Sequence, residues 1–410
     1  MKTPKSILKN IQDNLKGASV ENILWCINLT PQMAGFSITS RRNSVIFWVA
    51  HLTLLFYVNF VSNFIYPIKL STDINGVIKA NTNLSVLIFT VNIGFWFLTK
   101  RSLLISTIEK VNDIDEIAAQ SKFLVIKHKK LLKKIKAMVL IYYFINFIDI
   151  FLVWMPQRWD LTSAFYTEYP CPGIQVNTEI NKLVCRTIIL SQDALMSIIV
   201  INYQSLLLFL IAHTAAMFDL MSEEMKSLKF KENVDEVEYA VDVEEDVEEA
   251  VKEVADILED TADNRVKEKL SSLIKRHILL LDIVQCLRDL YSLPLGIDFA
   301  ANAYCMCLFF SLPLEDWISF APVLGYCFLV FFLYCYLCQK LVDVSEVFEA
   351  SVYDCGWESY LLSDRRSVFI VLQQAQQPVM IKAGNIVPVN IYTFASAMQG
   401  IYKFVTALKF

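Results

Sequence analysis

The chain has 410 residues, 55% hydrophobic and only 19% charged, with a mean hydropathy of +0.44. Soluble domains sit nearer ~45–50% apolar and ~25% charged, so this balance excludes an ordinary soluble enzyme or nucleic-acid binder and points to a membrane protein with lipid neighbours. The net charge of -5 is not spread over the surface, because one acidic segment near 230–264 supplies most of it.

The N-terminal segment, 1–43, opens "MKTPKSILKNIQDNLKGAS". This is a basic amphipathic stretch, not a short apolar core before a small-residue cleavage site. A membrane-spanning helix needs ~20 mostly apolar residues. Seven runs qualify, near 44–66, 77–98, 137–155, 183–218, 293–312, 317–338 and 389–408. The fourth is longer than a bilayer requires, so it should tilt or project beyond it. The expected architecture is an all-α membrane protein. Its parts are the segment 1–43, six spans with cytoplasmic extensions over 44–338, cytoplasmic helices over 339–388 and a seventh span over 389–410.

Lysine and arginine in the loops set orientation. Of the 37 in the chain, 30 fall in the N-terminal segment and in the loops after the second, fourth and sixth spans. The N-terminus is therefore expected in the cytoplasm and the C-terminus outside. That is the reverse of a G-protein-coupled receptor, and the acidic-Arg-Tyr and Asn-Pro-x-x-Tyr motifs usual in such receptors are missing as well.

Between spans the cytoplasmic stretches keep apolar residues at every third or fourth position and read as helix. They are 105–138, 271–297 and 340–377. The acidic stretch keeps a valine period, from Val234 and Val237 to Val254 and Leu258, that suits an acidic amphipathic helix, while its charge suits a solvated loop insertion.

Histidines are four and scattered, Cys305/Cys307 and Cys335/Cys338 lie deep in apolar runs, and no phosphate loop occurs. No enzyme activity, metal or cofactor is expected. Cys171 and Cys185 fall on the outer side, where they are free to pair.

The last span carries a wet stripe: Ser396, Gln399, Lys403 and Thr406, spaced 3, 4 and 3. Such a face is costly against lipid and suits a water-filled lumen. The other reading is hydrogen bonding to neighbouring helices, with Lys409 snorkelling to the outer headgroups.

The C-terminal third resembles the insect odorant receptors. The resemblance is carried by Tyr353-Asp354-Cys355-Gly356-Trp357, Asp364-Arg365-Arg366, Gln373 to Pro378, Ala383-Gly384, Thr393-Phe394 and Ile401-Tyr402-Lys403-Phe404. It departs at Gln376-Gln377-Pro378, where the family often has Gln-Arg-Pro, and at Lys403, which puts a charge beside the gate region. Gustatory receptors of the same superfamily fit the ending less well.

The resemblance implies the odorant-tuned subunit of a tetrameric ligand-gated cation channel, assembled with a shared co-receptor subunit. Its seventh helices would line the pore, with Ser396, Gln399, Lys403, Thr406 and Phe410 along the lumen and Thr406 and Lys409 at the outer gate. A small hydrophobic volatile would bind in the outer membrane half among spans two, three, four and six. The expected walls are Asn81 and Ser85; Phe147, Phe151 and Trp154; Met196 and Val200; and Phe320, Val323 and Tyr326. Asp149 and Asp193 should not face lipid. Structural pairing is the favoured role, with Arg186 one candidate partner for Asp193, and a polar contact near the pocket is the other reading.

Overall fold

The computed structural model describes residues 12–39, 45–70, 74–120, 124–159, 161, 170–229, 248–312, 314–377 and 379–409. It is helical nearly throughout. Helix α1 (Val20–Ala34) begins where the Ser19 side chain accepts the backbone N–H of Asn22 and ends on Gly35, whose φ of 98° only glycine adopts freely. The first span, α2, runs Val45–Leu55, loosens into a π-helical stretch at Phe56–Ile65 and closes with Tyr66–Leu70. The second is α3 (Ile74–Thr99), followed by the cytoplasmic α4 (Arg101–Gln120). Helix α5 (Val125–Ile148) carries the third span and passes through a π-helical stretch, Asp149–Trp154, into Met155–Trp159.

Three long rods form the rest of the bundle. They are α6 (Glu179–Lys229), α7 (Glu248–Ser311) and α8 (Leu314–Tyr353). At 51 residues α6 is ~75 Å long, so it projects well beyond a ~30 Å hydrocarbon core, as its run of apolar residues suggested. Helix α8 joins the sixth span to the cytoplasmic body without a break. The acidic segment is helical from Glu248 onward, and its first part, 230–247, lies outside the described residues. A turn with a 3₁₀ helix (Trp357–Ser359), α9 (Leu362–Ala375), a hairpin of β1 (Lys382–Ala383) and β2 (Val387–Pro388), and α10 (Ile391–Lys409) complete the chain.

Among the described residues, five helical stretches are long and apolar enough by themselves to cross a membrane: Val45–Lys69, Ala80–Thr99, Glu179–Leu228, Val266–Ser311 and Leu324–Ser359. The third and seventh expected spans are helices too, in α5 and α10. The polar stripe of α10 dilutes its hydropathy.

Helix α6 is the axis of the molecule. It packs against α8, α5, α1 and α7, and its residues Tyr203 to Ile211 are almost wholly buried. On the outer side, Cys171 and Cys185 form a disulfide that packs with Val58 and Ile189. Disulfides persist on the oxidising side of a membrane, and this is the side that the charge count makes external.

Several polar groups inside the cytoplasmic half are paired. The Arg276 guanidinium meets the Glu224 carboxylate in a buried ion pair. The Asp115 carboxylate receives His128 Nε2 at 2.7 Å and His213 Nε2 at 3.3 Å. Burial alone would raise the Asp115 carboxyl, but the hydrogen bonds and charge of the two histidines outweigh it and hold it at about 2.

The hairpin is fastened to α7. Gly384 and Asn385 both take positive φ, 60° and 61°, with Ile386 N–H bonded to Ala383 O at 3.2 Å, the geometry of a tight hairpin turn. Ser292 of α7 accepts Gly384 N–H on its carbonyl at 2.7 Å. Its hydroxyl donates to Lys382 O and lies 2.6 Å from Asn385 Oδ1. A side chain at Gly296 would meet the Gly384 backbone nitrogen at 2.8 Å, so only glycine allows this approach. Asn390 then caps α10 by accepting Thr393 N–H at 2.8 Å.

Candidate ligand site and pore helix

Between α3, α5, α6, α7 and α8 lies a mostly apolar cavity of about 140 Å³. From α3 come Ser85, Val86, Phe89 and Thr90; from α5 and its π-helical continuation, Asn146, Asp149 and Ile150. Met196, Ser197, Val200, Ile201 and Gln204 come from α6. The last wall is Ala301, Asn302 and Cys305 of α7 with Tyr326, Cys327 and Val330 of α8. One water needs ~10–15 Å³ by the same measure, so the space suits a molecule of roughly ten non-hydrogen atoms.

Four of the ten expected wall residues line this cavity: Ser85, Met196, Val200 and Tyr326. Asn81 does not. It is half-buried, donates to Val77 O at 2.8 Å and accepts from Tyr304 at 3.3 Å. Phe147 and Phe151 stack on each other with ring centroids 4.3 Å apart, but they are 57% and 47% exposed and face outward. Their stripe lies on the chain's outer surface, and the inner face of α5 is polar instead. The side chains of Trp154, Phe320 and Val323 lie outside the described residues.

Residues missed by the sequence reading supply most of the polarity. Most hydroxyls are turned onto their own helices: Ser85 donates to Thr82 O, Thr90 to Val86 O and Ser197 to Asp193 O. Asn146 likewise donates to Tyr142 O. Gln204 holds the inner end together. Its Oε1 accepts from Tyr142 of α5 and, at 2.5 Å, from Tyr326 of α8. One amide oxygen therefore ties α5, α6 and α8. The visible signal was a polar residue breaking an apolar helical face: Asn146 and Asp149 three apart, Ser197 and Gln204 seven apart.

Just inside the cavity lies a second polar layer. Asn92 Nδ2 of α3 donates to Asp298 Oδ1 of α7 at 2.8 Å, and Trp96 Nε1 donates to Leu290 O at 2.7 Å. Tyr203 packs edge-on against Trp96 with centroids 4.9 Å apart.

Helix α10 has two unlike faces. Ile391, Phe394, Ala397, Met398, Ile401 and Val405 pack onto the bundle. Phe394 meets Phe328, Phe331 and Phe332 of α8 with centroids 5.2–5.4 Å apart. Ser396, Gln399, Gly400 and Lys403 are exposed on the chain's own surface. Thr406 is half-buried and donates to Tyr402 O and Lys403 O at 3.0 and 2.9 Å. The side chains of Lys409 and Phe410 lie outside the described residues.

With this geometry in place, the comparisons decide the family. The family model described as "7tm Odorant receptor" matches residues 73–402. The chain belongs to the odorant receptor family.

Among curated relatives of this odorant receptor is Odorant receptor 67a of Drosophila melanogaster, 30% identical over 159 residues, 36% of this chain and 38% of that one. Odorant receptor 22a of the same species is 26% identical over 151 residues, 35% of this chain and 37% of that one. The matched stretches thus span little more than a third of these relatives.

The fold is that of the insect olfactory receptor OR5 from Machilis hrabei, solved in complex with eugenol. The match has a TM-score of 0.73 at 12% identity and covers 97% of this chain and 99% of that one. The same receptor solved on its own aligns with a TM-score of 0.69 over 93% of this chain. The protein is therefore a seven-helix, multi-pass membrane protein and not an enzyme.

Proposed function

We propose that this odorant receptor is the odorant-binding subunit of a ligand-gated, non-selective cation channel in the plasma membrane of sensory neurons. It assembles as a heterotetramer with a co-receptor subunit and binds a small volatile in the cavity between α3, α5, α6, α7 and α8. The observation that carries this reading is the cavity itself. It is apolar, it lies among the four spans expected to wall it, joined by α7, and it leaves room for one small molecule. Its neighbours α7 and α8 also seat α10.

In this reading the exposed stripe of α10, with Ser396, Gln399 and Lys403, faces the lumen. Thr406, Lys409 and Phe410 continue it toward the outer gate. A ligand that wedges α7 against α8 acts on α10 directly and through the hairpin held by Ser292. Pocket and gate are then two sites on one bistable element.

The test is whole-cell current from cells expressing this chain alone and with an insect co-receptor, under a panel of small volatiles. Cation current evoked only in the presence of the co-receptor is expected. Surface expression without current in either case would sink the reading.

A further inference from the structure

The cavity holds one carboxyl group, and nothing among the described residues answers it. Asp149 lies at the point where α5 passes into its π-helical stretch, and it lines the cavity. It is half-buried, with no hydrogen-bond or ion-pair partner among the described residues. Among the described residues, the walls of the cavity contain no lysine, arginine or histidine. The pairing expected from the sequence is thus not what this residue does. An ionisable group inside a membrane bundle is expensive and is kept for a role.

The other polar groups narrow that role. Ser85, Thr90, Ser197 and Asn146 already donate to their own backbones. Tyr326 donates to Gln204. The hydroxyls are thus spent, and the amides of Asn146, Asn302 and Gln204, which keep N–H groups, make no hydrogen bond to Asp149, so its acceptor is open to a donor carried by the ligand. An ammonium is disfavoured, because it would surrender its hydration to hydrocarbon walls such as Val86, Ile150 and Val330 for a single acid. A hydroxyl gives the carboxyl a donor at far smaller desolvation cost.

We infer that Asp149 is a specificity-determining residue that accepts a hydrogen bond from an alcohol or phenol, making hydroxyl-bearing volatiles of about ten non-hydrogen atoms the preferred ligands. The inference rests on the cavity being the odorant site. It sets one polar contact against apolar walls as the basis of selection. A buried site built to hydrogen-bond a hydroxyl discriminates strongly against the analogue lacking it.

The experiment compares matched ligands on the wild-type, Asp149→Leu and Asp149→Asn chains, each expressed with the co-receptor. The ligands are a primary alcohol, its methyl ether and the amine of the same chain length. The wild type is expected to respond to the alcohol at concentrations at least about tenfold below the ether. Asp149→Leu should erase that difference by weakening the alcohol alone. Asp149→Asn keeps an accepting oxygen and should stay within about threefold of wild type for the alcohol.

Three results would overturn the inference: equal potency of alcohol and ether on the wild type, an equal loss for all three ligands in Asp149→Leu, or a preference for the amine that Asp149→Asn abolishes. Melting of the purified protein with each ligand gives a readout independent of gating. Volatile-evoked current or stabilisation indifferent to Asp149 defeats this inference alone. If no volatile stabilises or opens the wild-type protein, the odorant-site reading beneath it fails as well.

Discussion

Gln204 shows what one side chain does in this bundle. Its oxygen accepts from two buried tyrosines on different helices, so removing it orphans both hydroxyls. Gln204→Leu should cost about 2–4 kcal/mol, since each unsatisfied buried hydroxyl costs ~1–3. Adding Tyr142→Phe and Tyr326→Phe to it should recover much of the loss, because removing both partners costs less than removing one. Melting temperatures of the three purified chains would check this. Recovery close to zero would mean that the amide acts by packing alone.

Asp115 gives a pH prediction at the same scale. Its carboxyl is held at about 2, below the ordinary 3.8, by His128 and His213 against the pull of burial. A depressed carboxyl stabilises the fold above its unfolded value. That contribution is lost as pH falls from about 4 through about 2, and a shift of this size is worth ~2 kcal/mol. Asp115→Asn should lower stability at neutral pH by about that amount and flatten acid unfolding across the same window.

The limits of reading a membrane chain are also sharpest at single residues. Lipid and a hydrophobic ligand present the same solvent to an apolar side chain. The Phe147–Phe151 stripe therefore looked like a pocket wall and is a surface. Asn146 and Asp149, on the opposite face of the helix, carried the real signal, because a polar group has no reason to face lipid.

At the scale of elements, the spans and their cytoplasmic extensions were legible because hydropathy and the 3.6-residue period survive any tertiary arrangement. The π-helical stretches in α2 and α5 were not, since they follow from packing rather than from local propensity. The fusion of the sixth span with the following helix into α8 was also hidden, because no glycine or proline marks where the bilayer ends. The hairpin was half legible. Ala383-Gly384 announced a turn, but its seat on Ser292 and Gly296, some ninety residues earlier, is a tertiary fact.

That seat makes a prediction. Gly296→Ala places a methyl 2.8 Å from a backbone nitrogen that cannot rotate away. Either α7 or the hairpin must shift, at a typical overpacking cost of ~1–3 kcal/mol. Because the hairpin leads directly into α10, the expected phenotype is a channel that still binds ligand but opens poorly. Ligand-induced melting shifts and whole-cell currents measured on the same variant separate the two. Unchanged maximal current would show that the hairpin is only a tether.

For the whole molecule, the decisive feature is how α10 is presented. Its apolar face is spent on α7 and α8, and its polar face is left for whatever surrounds the chain in the membrane. Lipid is a poor neighbour for Gln399 and Lys403, so the face calls for a water-filled space that a single chain does not enclose. Lys403 then constrains the assembly. Four such lysines about one axis, ~10 Å apart in an effective dielectric of ~20, would repel by roughly 1.7 kcal/mol per pair and oppose cation entry. One lysine diluted among co-receptor helices carries neither cost. The chain expressed alone should therefore conduct poorly or not at all, and Lys403→Gln should restore part of that homomeric current. In the heteromer the same substitution should raise single-channel cation conductance, most strongly at low ionic strength where screening is weakest. A conductance independent of both the substitution and the salt would place Lys403 away from the lumen and return the stripe to contacts between neighbouring helices.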